Sequence, residues 1–453
     1  MGPLASRPRP PVRRRPTRAG RGIRPDPLLP ALLALALGVP SGCDDYNYSP
    51  GAGRTDLSYY LLVSEPTGDT LAVPAGVRWD PLRSPGGGPG PLLQLRSMGV
   101  RAVLPTGDAW DLSAFLPDSG ADAGDPESWH FEEADSALRL VLEAGLVPLP
   151  SLRLDDRACI AGTDPAGVLV RVVGHCSDSS SWGAGAVPRI ELKPTPDDSG
   201  GCGLPADMEE LLALPVEIVR RTPGRFGRIL SADAADVRSG IQDAERMGVT
   251  AHSCVIVTDD PLDYVAAGEN LAGVAGAGRG LPILTGWGPE GHGTDDAPPS
   301  PALLTASWIC ILDAGFEEAW LDADGDWYRN HDGSPSPLLW LFALWRECGE
   351  HPSRLGTFVT MDGDQWAAVE GSDRLWALAG EDETGEVAIL LANLTGDTAC
   401  VDVTLLRNGL RGGLAGRVLR AGPAEGGIVS DPAEERSITM MPGEALLVVG
   451  TPR

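Results

Sequence analysis

Residues 129–152 read WHFEEADSALRLVLEAGLVPLPSL and contain one complete helix-to-strand unit. Apolar residues recur at helical spacing from Ala134 to Leu142, acidic residues fill the first turn, and Gly145 follows, so the segment predicts a helix over 132–144. A Pro-bounded apolar run at 146–152 follows within two residues and predicts a strand. Such a short connection is typical of folds in which helices alternate with parallel strands.

The same alternation extends over residues 75–350. Strands are predicted at 77–79, 100–105, 146–152, 187–192, 228–231, 251–257, 281–286 and 318–322. Eight strand-helix units over this length favour an α/β fold of the (β/α)8 TIM-barrel type. A doubly wound open sheet is the alternative, although no Gly-rich phosphate loop opens a helix here.

The pattern changes after residue 356. Short strands separated by Gly, Asp and Asn turns are predicted at 375–379, 387–393, 400–406, 417–421 and 445–449. No long helical stripe interrupts them. The sequence therefore predicts a barrel over residues 73–355 followed by a C-terminal β-sandwich over 356–453.

The composition is that of a globular protein. The chain has 453 residues, of which 42% are hydrophobic, and its net charge is −27 because 63 acidic residues outnumber 36 basic ones. An acidic surface repels phosphate backbones, so we expect no nucleic-acid partner.

The first 42 residues have the pattern of an export signal. An Arg-rich segment ends at Arg24, and an apolar run at 28–40 leads to Ser41-Gly42-Cys43. The run is shorter than the ~20 residues that span a bilayer. It resembles a bacterial lipobox, which implies acylation at Cys43 and an extracytoplasmic position in the cell envelope, anchored to the membrane by lipid. Residues 43–72 are expected to form a tether and an entry strand. An ordinary signal peptide is the alternative.

Neither a metal nor a cofactor is expected. The six His residues lack metal-ligand spacing, and no CxxC pair occurs. The sequence DADGDW, which begins at Asp322, lacks the full spacing of an EF-hand loop. A disulfide is expected between two of Cys159, Cys176 and Cys202, whereas the apolar surroundings of Cys254, Cys310 and Cys348 predict buried thiols.

Several segments resemble clan A glycoside hydrolases, most closely family 39, the β-xylosidase and α-iduronidase group. They are the stretch at 129–152, Ala251-His252-Ser253, the stretch LPILTGWG at 281–288, and the stretch DGSPSP at 332–337. The resemblance is diffuse over residues 75–450. It implies a (β/α)8 barrel with a β-sandwich and a carbohydrate ligand.

The resemblance also reveals a departure from the family. There, strand four ends in Trp-Asn-Glu-Pro, whose Glu is the acid/base, and strand seven ends in Thr-Glu-Trp, whose Glu is the nucleophile. Here the matching positions hold Thr195 and Gly286. A retaining glycosidase needs two carboxyl groups about 5 to 5.5 Å apart. Thr is too weak an acid and Gly has no side chain, so the resemblance implies a fold kept without its original chemistry.

Other polar and aromatic residues near the strand ends are candidates for sugar contact. Indole faces stack on sugar rings, with core packing as the alternative, and loops after barrel strands carry binding groups. The candidates are Trp79, Trp110, Lys193, Asp197, His252, Trp287, Glu290, Asp324 and Trp327. Glu191 is expected to point into the barrel as a buried structural carboxylate.

Three functions remain open. The first is a lipid-anchored, exported protein that binds an oligosaccharide, a polysaccharide or an envelope partner without hydrolysing it. The second is an active, xylosidase-like glycoside hydrolase that uses relocated loop carboxylates. The third is a structural scaffold of the envelope, since a fold does not imply a function.

Overall fold

The computed structural model describes residues 57–71, 76–83, 88–116, 122, 124–154, 165–176, 178–183, 187, 189–194, 228–231, 253–275, 283–289, 299–316, 318–322, 329–330, 333, 335–361, 374–408, 410–421, 428–433 and 437–453. All structural statements refer to these residues.

Strands and helices alternate in the first two thirds of the described chain, and strands follow. The strands are β1 (Leu57–Thr70), β2 (Gly76–Trp79), β3 (Ala102–Pro105), β4 (Val147–Pro148), β5 (Ser151–Leu154), β6 (Arg189–Pro194), β7 (Arg228–Ser231), β8 (Ser253–Val257), β9 (Ile283–Gly288), β10 (Ala319–Leu321), β11 (Ser353–Met361), β12 (Leu375–Glu381), β13 (Val387–Asn393), β14 (Ala399–Arg407), β15 (Leu410–Gly412), β16 (Leu414–Ala421), β17 (Ile428–Ala433), β18 (Ser437–Met440) and β19 (Ala445–Pro452). The α-helices are α1 (Gly90–Ser97), α2 (Leu112–Phe115), α3 (Glu132–Glu143), α4 (Pro165–Cys176), α5 (Ser179–Trp182), α6 (Leu262–Ala275), α7 (Pro301–Ala314) and α8 (Leu341–Gly349).

The eight strands predicted for the first part of the chain are all present and form a curled parallel arrangement. One sheet has the order β4-β3-β2-β10-β9-β8, and a second has the order β5-β6-β7. Only two residues separate β4 from β5, so these strands occupy one position in the curl. The last strand, β10, pairs in parallel with the first, β2. An open doubly wound sheet keeps those strands apart, so that alternative is wrong.

The helix predicted at 132–144 is confirmed as α3. Its apolar side, which includes Ala137, Leu138 and Val141, is buried, and Gly145 ends it with a positive φ of 69°. On the inner side of the curl, Trp320 forms a small core with Leu104 and Leu149.

The C-terminal part is one continuous sheet of ten strands. Its order is β15-β14-β1-β11-β12-β13-β19-β16-β17, with β18 paired to β14. The expected division into a two-sheet sandwich is therefore not found. Strand β1, which lies within the tether and entry strand expected at residues 43–72, pairs in parallel with β14 and antiparallel with β11. The sheet thus recruits a strand from before the parallel part of the chain.

The ten-stranded sheet folds back on itself and also packs against helices. Strands β14 and β16, which are far apart in the strand order, contribute to one core. Strand β13 is buried along its whole length. Ile389 and Leu391 face the core inside the ten-stranded sheet, while Leu390 lies in the core that contains residues of α7 and α8. The two parts of the molecule therefore share one apolar core.

The cysteine expectations can be examined at three positions. Cys310 and Cys348 are buried thiols, as predicted. Cys176 is also a free, buried thiol, so the structure does not place it in a disulfide. Burial, together with the nearby Asp135 carboxylate, raises the pKa of the Cys176 thiol to about 12. Cys159, Cys202 and Cys254 lie where no side chain is described.

None of the helices described in the structure is both long enough and apolar enough to cross a bilayer.

Candidate functional site

The carboxyl end of β9 is where the resemblance places the nucleophile. Cys254 of β8 pairs with Leu284, but the next residue, Val255, pairs with Gly286, so the strand contains a bulge at Thr285. A bulge changes which side of the sheet the following residues face. Leu284 and Trp287 both lie in the core shared with the helices, so Gly286 faces the inner side of the curl. No carboxyl group extends inward from that position.

Trp287 packs in the core instead of contacting a sugar. Only 1% of its surface is exposed. Its ring centroid lies 6.1 Å from that of Trp308 and 6.0 Å from that of Trp345. Because neither face of the indole is open to solvent, the expectation that Trp287 stacks on a ligand needs correction.

The end of β9 is held in place by Tyr264 of α6. The Gly288 amide donates to the Tyr264 hydroxyl at 3.1 Å, and the single hydroxyl hydrogen is shared between the Gly288 carbonyl at 3.2 Å and the Ile256 carbonyl at 3.3 Å. Burial raises the pKa of Tyr264. The strand end is therefore a fixed piece of backbone.

Trp79 and Trp110 are also buried, with no measurable exposure. The Arg329 guanidinium lies 4.3 Å from the centre of the Trp79 ring. Trp110 packs edge-on against Phe115 at 6.1 Å. These indoles, like Trp287, fill the protein interior, so core packing is the correct interpretation for all three.

The remaining sequence candidates lie at or beyond the limits of the described residues. The backbone of Lys193 is part of β6, but its side chain is not described. The others outside the described residues are Cys43, Thr195, Asp197, His252, Glu290, Asp324 and Trp327.

Two polar pairs lie on the inner side of the curled strands. The Ser151 hydroxyl donates to the fully buried Glu191 carboxylate at 2.6 Å. This matches the expected structural carboxylate. Nearer the carboxyl ends of the strands, the Arg78 guanidinium lies 3.6 Å from the Asp322 carboxylate. Their side chains are 6% and 28% exposed, so Asp322 remains accessible to solvent.

A cleft opens at the carboxyl ends of β2 and β3. Its volume is about 450 Å³, and it is lined by Asp80, Leu82, Asp108, Ala109, Glu132, Glu133 and Ser136. Small-molecule sites have volumes of roughly 300–1,000 Å³, so a short saccharide fits its size.

The acidic residues that line this cleft differ in burial and in the elements that they follow or belong to. Asp80 directly follows β2, is 6% exposed and accepts a hydrogen bond from the Leu82 amide at 2.9 Å. Asp108 follows β3 and is exposed. Glu132 and Glu133 occupy the first turn of α3, where negative charge also stabilises a helix. Carboxylates in such a cleft accept hydrogen bonds from sugar hydroxyls and can take part in proton transfer.

The sequence analysis missed Asp80 and Asp108. The available signal was their position directly after predicted strands, the same criterion that selected Asp324. The two residues were hidden because acidic residues are common throughout this chain.

Comparison with known proteins agrees with this architecture. No protein-family model and no curated protein matches the sequence. Among solved structures, a glucosidase from Croceicoccus marinus is 18% identical, with a TM-score of 0.61 over 87% of this chain and 99% of that one. A family 39 β-xylosidase from Caulobacter crescentus is 13% identical, with a TM-score of 0.56 over 87% and 100%. A BuGH86 variant in complex with neoagarooctaose is 10% identical, with a TM-score of 0.57 over 87% and 78%.

These similarities define a class by fold. The chain has a mixed α/β fold, in which a curled eight-position parallel sheet is similar in architecture to these glycoside hydrolases. The identities are too low to show membership of family 39.

Proposed function

We propose that this chain is an exported, lipid-anchored protein that binds carbohydrate at the carboxyl ends of its parallel strands without the two-carboxylate retaining reaction. In this proposal the curled sheet is a complete (β/α)8 barrel. Gly286, on the inner side of β9, is the observation that carries the proposal, because it supplies no nucleophile at the expected position. The similarity to glycoside hydrolases supports a carbohydrate as the ligand.

The negative charge of the cleft restricts the class of saccharide that can bind there. Asp80, Asp108, Glu132 and Glu133 surround one space, and Arg78, on the strand that Asp80 follows, is already paired with Asp322. An anionic sugar would meet like charges, which are costly at a binding surface. The ligand we propose is therefore a neutral saccharide, bound through its hydroxyl groups.

A glycan array tests this binding directly. The full chain is applied beside Asp108→Asn, which changes an exposed cleft carboxylate, and Glu383→Gln, which removes an equal charge from an exposed turn far from the cleft in sequence. A hydrogen bond to a charged group contributes about 1.5–3 kcal/mol, so Asp108→Asn should weaken binding about tenfold or more. Glu383→Gln should bind like the unmodified chain. Binding confined to uronic acid or sulfated glycans, or equal for all three proteins, would contradict the proposal.

A second function, hydrolysis by relocated carboxylates, is favoured by one observation. Asp80 and Asp108 line the same cleft, and two facing carboxyl groups can support an inverting mechanism. Aryl xylosides, arabinosides, glucosides and uronides are the substrates to try. Turnover that Asp80→Asn and Asp108→Asn each abolish would establish this function, whereas turnover unchanged by both substitutions would exclude this cleft.

The lipid anchor is proposed on the sequence resemblance at Cys43 alone. Cells that express the chain are labelled with a fatty-acid analogue. Label should enter the unmodified chain and be lost in Cys43→Ser. Label retained in Cys43→Ser would contradict the anchor, and an unlabelled, secreted chain would point to an ordinary signal peptide.

A further inference from the structure

Three ligand-type side chains meet at the junction between the parallel part of the molecule and the ten-stranded sheet. His351 lies after α8 and just before β11, while Asp382 and Glu386 lie in the turn between β12 and β13. One ligand atom from each, a ring nitrogen or a carboxylate oxygen, lies within 4.8 Å of the other two. The sequence analysis missed this group because His351 is distant in sequence from the turn.

The His351 ring is oriented as a metal ligand. Only 3% of the residue is exposed. Its Nδ1 lies 2.9 Å from the Glu347 carbonyl oxygen, which can only accept, so Nδ1 donates. Within the part of the chain that the structure describes, Nε2 has no hydrogen-bond partner, and it lies 3.5 Å from the Glu386 carboxylate. A metal-bound histidine typically donates its other ring N–H to a carbonyl in this way.

The turn holds the Asp382 carboxylate in place. One oxygen of Asp382 accepts hydrogen bonds from the amides of Thr384 and Glu386, at 2.9 and 2.8 Å, and the Thr384 hydroxyl donates to both Asp382 oxygens. Gly385 closes the turn with a positive φ of 84°. The Asp382 side chain therefore has a fixed position before any ion binds.

We propose that His351 Nε2, Asp382 and Glu386 bind a zinc ion. A nitrogen lone pair and two negative oxygens face one another, so a cation placed between them satisfies all three groups. Zinc takes His nitrogen and carboxylate oxygen ligands at about 2.0–2.2 Å in tetrahedral geometry, which holds neighbouring ligands about 3.4 Å apart. The 3.5 Å separation of His351 Nε2 and Glu386 fits this geometry. Calcium and magnesium prefer oxygen ligands only.

The ion would connect two elements that come from different parts of the fold. His351 fixes the end of α8, and its carbonyl oxygen lies only 2.1 Å from where a Cβ on Gly380 of β12 would be. This close contact leaves no room for a side chain on Gly380, and β12 pairs with β13 across the same turn. Zinc would therefore join the last helix to the β12–β13 hairpin. This inference does not depend on the carbohydrate proposal.

The test uses the full chain, purified without a polyhistidine tag, and zinc chloride in competition with a chromogenic chelator. We expect one zinc ion per chain. His351→Gln and Glu386→Gln should each lower zinc affinity at least about 100-fold, more than the loss of an outer-sphere partner usually causes. Glu383→Gln, which removes an exposed carboxylate from the same turn, should bind like the unmodified chain. Zinc should raise the melting temperature of the unmodified chain but not of Glu386→Gln.

The half-exposed position of Glu386 keeps the test valid if His351→Gln fails to fold. Cobalt(II) gives a second readout, because a site with a nitrogen ligand produces a visible absorption band that Glu386→Gln should change and Glu383→Gln should not. Zinc binding that all three variants retain would overturn the proposal. So would the absence of zinc binding, which would leave only an ion pair between His351 and Glu386.

Discussion

At the scale of single residues, Gly76 shows how closely the inner side of the curl is packed. A Cβ on Gly76 would lie 2.4 Å from the ring of Trp320 on the paired strand β10. Trp320 is 4% exposed and has little space to move. The smallest residue on β2 thus makes room for the largest one on β10.

Gly76→Ala should therefore lower the free energy of unfolding by about 1–3 kcal/mol, the usual cost of inserting a methyl group into a filled core. Urea unfolding followed by Trp fluorescence measures it. Gly90→Ala is the matched control, because its Cβ would meet open space at the start of α1. Equal effects of the two substitutions would contradict the packing described here.

The buried thiols predict that the free energy of unfolding falls at alkaline pH. Burial raises the pKa of Cys348 from 9.0 to about 12. Between these values the unfolded thiol loses its proton and the folded one keeps it. The stabilisation is thus complete below pH 9 and is lost as the pH rises toward 12, by about 1.4 kcal/mol per pH unit.

Urea unfolding at pH 9, 10 and 11 in a reducing buffer measures this slope. Cys348→Ala should make it shallower by about 1.4 kcal/mol per pH unit, whatever the substitution costs at neutral pH. Cys400→Ala, at a half-buried thiol, serves as the control. If Cys348→Ala left the slope unchanged, the raised pKa of the Cys348 thiol would be refuted.

The sequence predicted the position of Trp287 but not its direction. Its place at a strand end suggested a face open to ligand. The bulge at Thr285 and the helices that cover the sheet decide its direction, and neither can be recognised from local residue types. The interior location of Glu191 was predictable, because alternation along an unbroken strand was enough.

At the scale of elements, short apolar runs located the parallel strands well. All eight predicted positions contain a strand, because a buried parallel strand is apolar on both faces. An entry strand was expected within residues 43–72, but the sequence does not show the bounds or the partners of β1, since the second half of this strand, which includes Pro66 and Gly68, is exposed and polar. Its pairing partners, β11 and β14, lie far away in the sequence, and no local pattern identifies such partners.

The central place of β1 predicts a large effect of truncating its buried side chains. Leu61 is 1% exposed and lies in the core inside the ten-stranded sheet. Leu61→Ala should cost about 2–5 kcal/mol, as is usual for a buried Leu. Phe358→Ala, on the neighbouring strand β11, should cost much less because Phe358 is 41% exposed. Urea midpoints of the two variants compare them, and a Leu61→Ala midpoint close to that of the unmodified chain would show that β1 is not integral to the sheet.

At the scale of the whole molecule, similarity of the fold is a separate matter from the residues at the strand ends. The overall architecture is similar to that of glycoside hydrolases over 87% of the chain. The inner side of β9 nevertheless offers Gly286 where the sequence resemblance places the nucleophile, and the acidic groups of the cleft follow β2 and β3 or lie on α3. Composition and motif spacing predicted the class of fold, whereas the cleft depends on where separate loops meet.

We propose above that this chain has no nucleophile for a retaining reaction. The direct measurement is the intact mass of the full chain after incubation with 2-deoxy-2-fluoroglycosyl fluorides of xylose, arabinose and glucose, which trap the glycosyl-enzyme of a retaining hydrolase. We expect an unchanged mass, and we expect the same chain to bind glycans more tightly than Asp108→Asn does. A mass increase equal to one fluoroglycosyl group, mapped to an Asp or Glu side chain, would contradict it.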